Sequence, residues 1–530
     1  MKTEKHSGNA FTKTPPMRIL ISTDDPGQGG VAEYVSQISV GLEKMGHTVL
    51  ISQSKPDDYE ALEQNRPGIE HHWLDYQTRS DRERLLSDKA SSIAIFEAAK
   101  PELILFANCS PVSQIAATYA AAEKAIPFVI IEGFAAPYPS LSPSVAWFQH
   151  HQKLLYKIAA SVIGVSGETL SILRKYYGLH PQKGELVYYG RPEIYYEEPD
   201  PTTRKEIRKS LSIPEDAVVC LTAARMEIVK GFDYLLEAVR QLKESPVWEK
   251  VWFLWAGDGS LLQSATEKIS KAGLTDKLRL LGRRNDMLSL LDSADIFLLP
   301  SQFEGMPLAI TEAMAKRLPI VASAVSGIPE QLGETGLLLP DPVAEPDAIA
   351  PAIVTAIETL AGDTEKRKTM GIACHERARD SFQESEMLRK TEAILARALL
   401  PAHDYASPGL EFIRPDAAFP NLTPATPQSL QWKYLRDEIP HANYVDKRVP
   451  GTGFLNRDEA TLLYNLALPF GGKNGLEIGC WFGWSAAHIA LAGVSLDVID
   501  PVLANPQIRE SVEQSLKACK VMPLIKLHSS

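Results

Sequence analysis

The sequence has few of the features that mark secreted, membrane-spanning or nucleic-acid-binding proteins. Its five cysteines include no C-x-x-C pair, so neither a disulfide framework nor a zinc site is predicted. No run reaches the roughly 18 apolar residues of a membrane span, and residues 1–16 lack the apolar core of a signal peptide. A formal net charge of −11 argues against a nucleic-acid partner. We expect a soluble, cytoplasmic protein that at most contacts the inner face of a membrane.

The chain is too long for one hydrophobic core. Short apolar runs alternate with helix-like stretches twice along it, which indicates parallel sheets covered by helices on both faces. We predict a disordered lead-in at 1–16, a first α/β domain at 17–190, a second at 191–382, a helical segment at 383–400 crossing back onto the first, a Pro-rich linker at 401–429 and a partial α/β segment at 430–530.

Two cations follow a buried strand in the second α/β region, AARMEIVKGFDYLLEAV. The strand is expected to end at Ala224, so Arg225 and Lys230 fall in the loop before a helix that opens near Gly231. Ligands bind at the carboxyl ends of strands in open α/β sheets, and cations beside a helix N-terminus suit a diphosphate. A solvated basic surface loop would show the same residues.

Two glutamates flank the start of a later helix in FEGMPLAITEA. Pro307 suits the first helical turn, which puts Glu304 in the preceding loop and Glu312 on the second turn. Carboxylates accept hydrogen bonds from sugar hydroxyls, and the backbone N–H groups of Gly305 and Met306 can hold phosphates between them. Each glutamate also has a plain interpretation, Glu304 as a partner of the helix dipole and Glu312 as a surface residue.

Two features of the first α/β region permit more than one interpretation. Gly29 and Gly30, between the first strand and its helix, allow close approach of a ligand or a tight turn. A helix that includes WFQHHQKLLYKIAAS carries an apolar stripe, which we expect to face the core, since such a stripe is more often a core face than a membrane anchor. The stripe is made up of Trp147, His151, Leu154 and Ile158.

These patterns together resemble the family 4 retaining glycosyltransferases, from about Met17 to Leu400. The resemblance is carried by five ordered motifs, a combination far more specific than any single one of them. They are Arg225 with Lys230, WAGDGS at Gly257 and Gly259, LGRRND at Gly282 and Arg283, the glutamate–seven–glutamate spacing of Glu304 and Glu312, and SGIPE with TGLLLP at Gly327–Glu330 and Thr335–Pro340.

This resemblance implies the GT-B fold, with two Rossmann-like domains facing each other across a cleft. It implies retaining transfer of a sugar from a nucleotide-diphosphate sugar to a glycan, lipid-linked or other acceptor, without metal or cofactor; the chain contains no D-x-D pair. The catalytic residues that the resemblance implies are Arg225, Lys230 and Glu304, and Glu132 is a further candidate at a position where the chain departs from the family. The implied donor-binding residues are Gly29, Gly30, Gly257, Gly259, Arg283, Gly305, Met306 and Glu312.

Glu132, in IIEGF, is a departure from the family pattern. Many relatives have a histidine at this strand end, so a carboxylate would lie beside the anomeric carbon and act as a base or stabilise positive charge. A plain strand-end glutamate is the alternative. The departure keeps open a catalytically silent glycan- or nucleotide-binding scaffold, and a GT-B nucleotide-sugar epimerase is a further alternative. A phosphorylase would need a pyridoxal-phosphate lysine, for which no motif is seen.

The C-terminal segment contains GLEIGCWFGWSAAHIAL, a strand–loop–helix pattern with Glu477, Gly479 and Gly483, followed by Asp500 at the end of the next strand. In a nucleoside-binding fold such an acid holds ribose hydroxyls. The segment resembles the N-terminal part of a class I S-adenosylmethionine-dependent methyltransferase, although Cys480, Trp481 and Phe482 depart from the pattern. S-adenosylmethionine is therefore a possible ligand, but only about three strands are present. A half sheet predicts an exposed edge and an uncovered apolar face.

Overall fold

The computed structural model describes residues 14–25, 29–55, 68–74, 82–137, 143–180, 183–399, 415, 418–424, 443–446 and 449–529. The chain forms two compact units, Met1–Leu400 and Pro401–Ser530. Most of the predicted lead-in and of the Pro-rich linker lies outside the described residues.

The first half of the first unit contains a seven-stranded parallel sheet of order β3-β2-β1-β4-β5-β6-β7. Its strands are mostly buried runs of aliphatic residues, as expected for a sheet covered on both faces. They are β1 (Arg18–Thr23), β2 (Thr48–Ser54), β3 (Glu70–Leu74), β4 (Leu103–Asn108), β5 (Phe128–Glu132), β6 (Ser161–Gly164) and β7 (Gly184–Leu186). The described helices are α1 (Gly30–Lys44), α2 (Arg82–Ala99), α3 (Ile115–Glu123), α4 (Pro143–Ile158) and α5 (Gly167–Tyr176).

The second half repeats this plan with a six-stranded parallel sheet of order β10-β9-β8-β11-β12-β13. The strands are β8 (Val218–Ala223), β9 (Val251–Ala256), β10 (Leu278–Gly282), β11 (Ile296–Leu299), β12 (Ile320–Ser323) and β13 (Leu337–Leu339). The helices are α6 (Pro201–Ser210), α7 (Phe232–Leu242), α8 (Leu262–Lys271), α9 (Met287–Ser293), α10 (Leu308–Ala315), α11 (Ile328–Leu332), α12 (Pro346–Gly362) and α13 (Thr364–Ser381).

The final helix of the unit, α14 (Glu384–Leu399), packs against α1, β4 and β5 of the first half. Gly41 of α1 leaves room for Leu388, because a Cβ at this position would overlap with the leucine side chain. His47 Nε2 lies 3.1 Å from Glu392 Oε1. The chain therefore crosses between the halves twice, near residue 191 and near residue 383.

Helix α4 turns a different face to the core from the one that the sequence suggested. Phe148, Gln152 and Leu155 are buried, whereas Leu154 is 42% and Ile158 52% exposed. The expected core stripe is therefore wrong at these last two positions, and the side chain of Trp147 lies outside the described set. The polar Gln152 takes a core position because it donates to the buried Glu132 at 3.4 Å.

The second unit has two small sheets. An antiparallel sheet joins β14 (Leu422–Pro424), β15 (Asn443–Asp446) and β16 (Val449–Asn456), in regions predicted as the linker and as the start of the partial α/β segment. The edge position of β14 explains how it accommodates Pro424. A parallel sheet of order β17-β18-β19 contains β17 (Asn474–Ile478), β18 (Ser495–Ile499) and β19 (Ile525–His528), with α15 (Arg457–Ala467), α16 (Trp484–Leu491) and α17 (Pro506–Ala518).

Two consecutive doubly wound sheets and a partial third one confirm the fold class predicted from the sequence. The edge strand β17 leaves Ile478 81% and Leu476 62% exposed, as expected of a sheet with an uncovered face. Within the described ranges, no helix has both the length and the apolar character that crossing a bilayer requires.

Candidate active site

Lys230 and Glu304 form an ion pair at the carboxyl ends of β8 and β11. Lys230 Nζ lies 2.6 Å from Glu304 Oε1, and the glutamate is only 9% exposed. The Ser326 hydroxyl accepts from the Glu304 backbone N–H at 3.3 Å. The attraction between the two charges at this short distance offsets part of the cost of removing them from water. The pair also places a cation and a hydrogen-bond acceptor side by side.

The loop that carries Arg225 is packed against the WAGDGS turn. Met226 N donates to Asp258 O at 2.9 Å, and Glu227 accepts from the backbone N–H and the hydroxyl of Ser260. Gly257 has φ +145°, and a Cβ at this residue would overlap with the Ala224 carbonyl oxygen. Gly259 also has little room for a side chain, because a Cβ at this residue would lie 2.7 Å from Met226 O. The glycines thus position the Arg225 loop, and the arginine side chain itself is exposed.

The two halves of the unit meet at Gly305. A Cβ on Gly305 would overlap with the Gly133 carbonyl oxygen, which follows β5 of the first half. Glu330 of α11 reinforces this contact, since it accepts from Gly167 N at 2.8 Å and from the Tyr188 hydroxyl at 2.7 Å. The buried Met306 leads into α10, which begins at Leu308, one residue later than expected.

Glu312, on α10, is held by an arginine that the motif analysis did not single out. Arg191 Nη2 lies 2.6 Å from Glu312 Oε1. Burial raises the pKa of Glu312 above its ordinary value, and the opposite charge of Arg191 together with a hydrogen bond from Tyr195 counteracts this rise. The carboxyl group therefore lies deeper than a helix-surface glutamate would.

Glu132 is fully buried at the end of β5. Its Oε1 accepts from the Tyr156 hydroxyl at 2.7 Å and from Asn108 Nδ2 at 3.1 Å, while Oε2 has no hydrogen-bond partner in the described part of the chain. Burial raises the pKa of Glu132 to about 8; the two hydrogen bonds oppose the rise, and the nearby Asp24 adds to it. Asp24 is also buried, and burial with the charge of Asp25 raises its pKa to about 7. Glu132 and Asp24 can therefore both change protonation near neutral pH.

The remaining predicted positions of the first unit also follow strand ends, those of β10 and β1. Arg283 is exposed directly after Gly282, whose carbonyl accepts from Gly257 N at 2.8 Å. Gly29 precedes α1, and a Cβ at this residue would lie 3.1 Å from Asp25 Oδ2; Gly30 faces open space. The ligand-contact roles of these residues stay predictions.

Arg191 and the Asn108–Tyr156 pair around Glu132 were not predicted as part of the site, since each acts on a residue distant in the chain. Glu330 lies in the predicted SGIPE motif, but no sequence pattern indicated its contacts with Gly167 and Tyr188. Arg191 follows Gly190 in a run after β7, and this glycine was the only available signal.

In the second unit, Asp500 is engaged with its own fold. Partial burial would raise its pKa, but N–H groups of Val502, Cys480 and Trp481 hold the pKa below its ordinary value. Cys480 N and Trp481 N donate to Oδ2 at 2.8 and 3.0 Å. Glu477 accepts from Ser485, and burial raises its pKa.

Gly479 and Gly483 have φ near +80° and shape the turn between β17 and α16. The S-adenosylmethionine role of these glycines, Glu477 and Asp500 stays a prediction.

The fold and site define a class, the two-domain GT-B proteins. Residues 28–192 match the family model described as Glycosyltransferase Family 4, and residues 203–376 match Glycosyl transferases group 1. These two matches support a family 4 glycosyltransferase in the first unit, in agreement with the family that the five ordered motifs predict.

Relatives that match by sequence are named as glycosyltransferases. The chain is 25% identical over 232 residues to the alpha-D-kanosaminyltransferase of Streptomyces kanamyceticus, covering 43% of this chain and 57% of the relative. It is 30% identical over 233 residues to the D-inositol 3-phosphate glycosyltransferase of Corynebacterium efficiens, covering 42% and 53%. The chain thus spans less than two thirds of the length of these relatives.

Solved structures share the fold. Anabaena Alr3699/HepE in complex with UDP superposes with a TM-score of 0.60 at 19% identity, covering 72% of this chain and all of that one. A glycosyltransferase from Rickettsia africae gives a TM-score of 0.61 at 20% identity, covering 73% and 100%. At these identities the similarity shows the architecture alone.

Proposed function

We propose that the first unit is a retaining glycosyltransferase that moves a sugar from a nucleotide-diphosphate sugar to a glycan or lipid-linked acceptor. The observation that carries the proposal is the Lys230–Glu304 pair at the strand ends, in the loop segments that also carry the exposed Arg225 and lead into α10. Charge grows on the departing diphosphate in the transition state, and preorganised cations stabilise it there. Glu304 and Glu312 supply acceptors for hydroxyls of the donor sugar and ribose.

Glu132 is proposed to face the reacting end of the donor. It lies directly before Gly133, which approaches Gly305 of the other half. Its raised pKa keeps a proton on the carboxyl group near neutral pH, so Glu132 would act on the acceptor hydroxyl only after losing that proton to solvent or to Asp24. The names of the relatives differ in the sugar and the acceptor, so they do not specify the sugar or the acceptor of this chain.

A lipid-linked acceptor would bring the protein to a membrane surface, and α4 offers a suitable face. Its exposed Leu154 and Ile158 are flanked by the exposed Lys153 and Lys157. Apolar side chains beside lysines favour the surface of anionic lipid.

The test is a panel of labelled nucleotide sugars, offered with glycan acceptors and with lipid-linked acceptors in anionic vesicles. We expect label in the acceptor from one donor and co-sedimentation with the vesicles. Lys230→Ala should lose on the order of 10²–10³ in turnover. Its matched control is Lys268→Ala, which removes a lysine from an exposed pair with Asp233. Interconversion of free nucleotide sugars without acceptor would show an epimerase, and binding without turnover would show a silent scaffold.

A further inference from the structure

Arg191 lies where the two crossings between the halves run side by side. Its backbone N–H donates to Phe382 O at 2.8 Å, and Glu384 N donates to Arg191 O at 3.0 Å. The preceding Gly190 has no room for a side chain, because a Cβ there would overlap with the Gln383 carbonyl oxygen. The main chain of Arg191 is therefore fixed at the place where the chain crosses between the halves.

The guanidinium group reaches carboxylates from both halves. Nη2 lies 2.6 Å from Glu312 Oε1 on α10 and 3.5 Å from Glu33 Oε1 in the first turn of α1. It also donates to the Tyr195 hydroxyl at 3.3 Å, and its central carbon lies 4.8 Å from the centre of the Tyr195 ring. The whole arginine is only 3% exposed. One buried cation thus joins α1 of the first half to α10 of the second.

Acidic groups outnumber cations around this arginine. Glu33, Glu312 and Glu384 all interact with Arg191, and Lys44 is a further cation that acts on Glu384. Burial raises the pKa of Glu312, Glu33 raises it further, and Arg191 and Tyr195 lower it. Without the guanidinium group, Glu312 would keep the burial and the repulsion from Glu33 but lose its main opposing charge. A protonated Glu312 would accept hydrogen bonds from ribose less well than a carboxylate.

We propose that Arg191 is a positioning residue for donor binding, which orients the Glu312 carboxylate and couples it to the first half through Glu33. The inference rests on the proposed function, because it takes Glu312 as a contact of the donor. Nε and Nη1 have no hydrogen-bond partner among the described residues. The ion pairs and the hydrogen bond of Nη2 are therefore the main polar contacts that fix the orientation of the side chain.

The experiment measures UDP, GDP and ADP affinity by calorimetry between pH 5.5 and 9. Arg191→Gln should weaken binding about ten- to hundredfold at low pH, the value of a hydrogen bond to a charged group. Its affinity should recover as the pH rises, because an acid with a raised pKa ionises at higher pH. Arg191→Lys keeps the charge and should retain most of the affinity. The control Arg379→Gln removes an exposed partner of Glu193 near the same crossing, and its profile should match the wild type.

Glu33→Gln supplies a test of opposite sign that is independent of whether Arg191→Gln folds. The Glu33 side chain is 50% exposed, and its loss removes a charge that raises the pKa of Glu312. The fall in affinity at low pH should therefore move to lower pH. An unmoved profile in both Glu33→Gln and Arg191→Gln, or equal weakening of Arg191→Gln at every pH without rescue by lysine, would overturn the proposal.

Failure of the proposed function gives a separate result. If the wild type binds none of the three nucleotides, the donor-site assignment fails. Hydrogen exchange then tests the coupling alone: Arg191→Gln should speed exchange in both the first turn of α1 and α10. Unchanged exchange in either element would contradict the coupling between the halves.

Discussion

Glu132 shows how a buried carboxyl group at a strand end becomes a group that titrates near neutrality. Among the described residues, no cation interacts with it, and its two shortest hydrogen bonds both go to Oε1. The proton is therefore retained to about pH 8 in the folded chain, whereas the unfolded chain loses it near the ordinary glutamate value.

This shift predicts a pH-dependent stability. Because the folded state binds the proton more tightly, the stabilisation is present at low pH and is lost as the pH rises from about 4.5 through about 8. Glu132→Gln cannot ionise, so its melting temperature relative to wild type should rise by several degrees between pH 5 and pH 9, reflecting a few kcal/mol at most.

Thermal unfolding at both pH values measures this difference. The control Glu97→Gln alters an exposed pair with Lys124 and should show no such trend. A constant difference between Glu132→Gln and wild type would mean that Glu132 is already ionised at pH 5.

At the scale of elements, the site depends on loops whose backbones come into close contact at glycine residues. The turn after β9 touches the loop after β8 at Gly257, and Gly231 leaves no room for a side chain beside the Pro300 carbonyl that follows β11. These contacts bring the cation loop and the Glu304 loop to one place without any side chain between them.

Gly257→Ala should displace the Arg225 loop. The new Cβ would overlap with Ala224 O, and φ is +145°. A shift of the order of 1 Å in a site can cost about hundredfold in turnover. Turnover and melting temperature are measured together.

Gly273→Ala is the control, since Gly273 also has positive φ (+63°) but faces open space. It should lower stability by about 1–2 kcal/mol and leave turnover unchanged. If the two variants lose turnover equally, the effect comes from general instability and not from loop displacement.

At the scale of the molecule, the chain forms two compact units, each with its own core. The predicted active site lies wholly in Met1–Leu400, and its described contacts are all made within that unit. The second unit has its own parallel sheet of three strands.

A chain ending at residue 400 should therefore keep the donor affinity and sugar transfer of the full chain. The comparison uses the same donor and acceptor for both proteins. Loss of transfer on truncation would show that the second unit supports the site. Labelled S-adenosylmethionine is offered to the full chain in parallel, and we expect no methyl transfer because three strands supply few loops for a methyl acceptor.

The sequence by itself determined the two parallel sheets, the location of Arg225, Lys230 and Glu304 after their strand ends, and the location of Glu312 on the following helix. The reason is that apolar runs and helix periodicity are local, and parallel topology brings successive strand ends to one edge of a sheet. The same local patterns missed the small antiparallel sheet of the second unit and misplaced Leu154 and Ile158, because helical spacing does not say which side meets the core.

Only the tertiary structure decided what each charged group meets. Arg191 pairs with Glu312 at the crossing between the halves, Glu132 is buried against Tyr156 and Asn108, and Gly305 touches Gly133. Each contact joins residues far apart in the chain, so no spacing pattern records it. Protonation and orientation of the site carboxyls depend on these partners and on burial, which exist only in the folded unit.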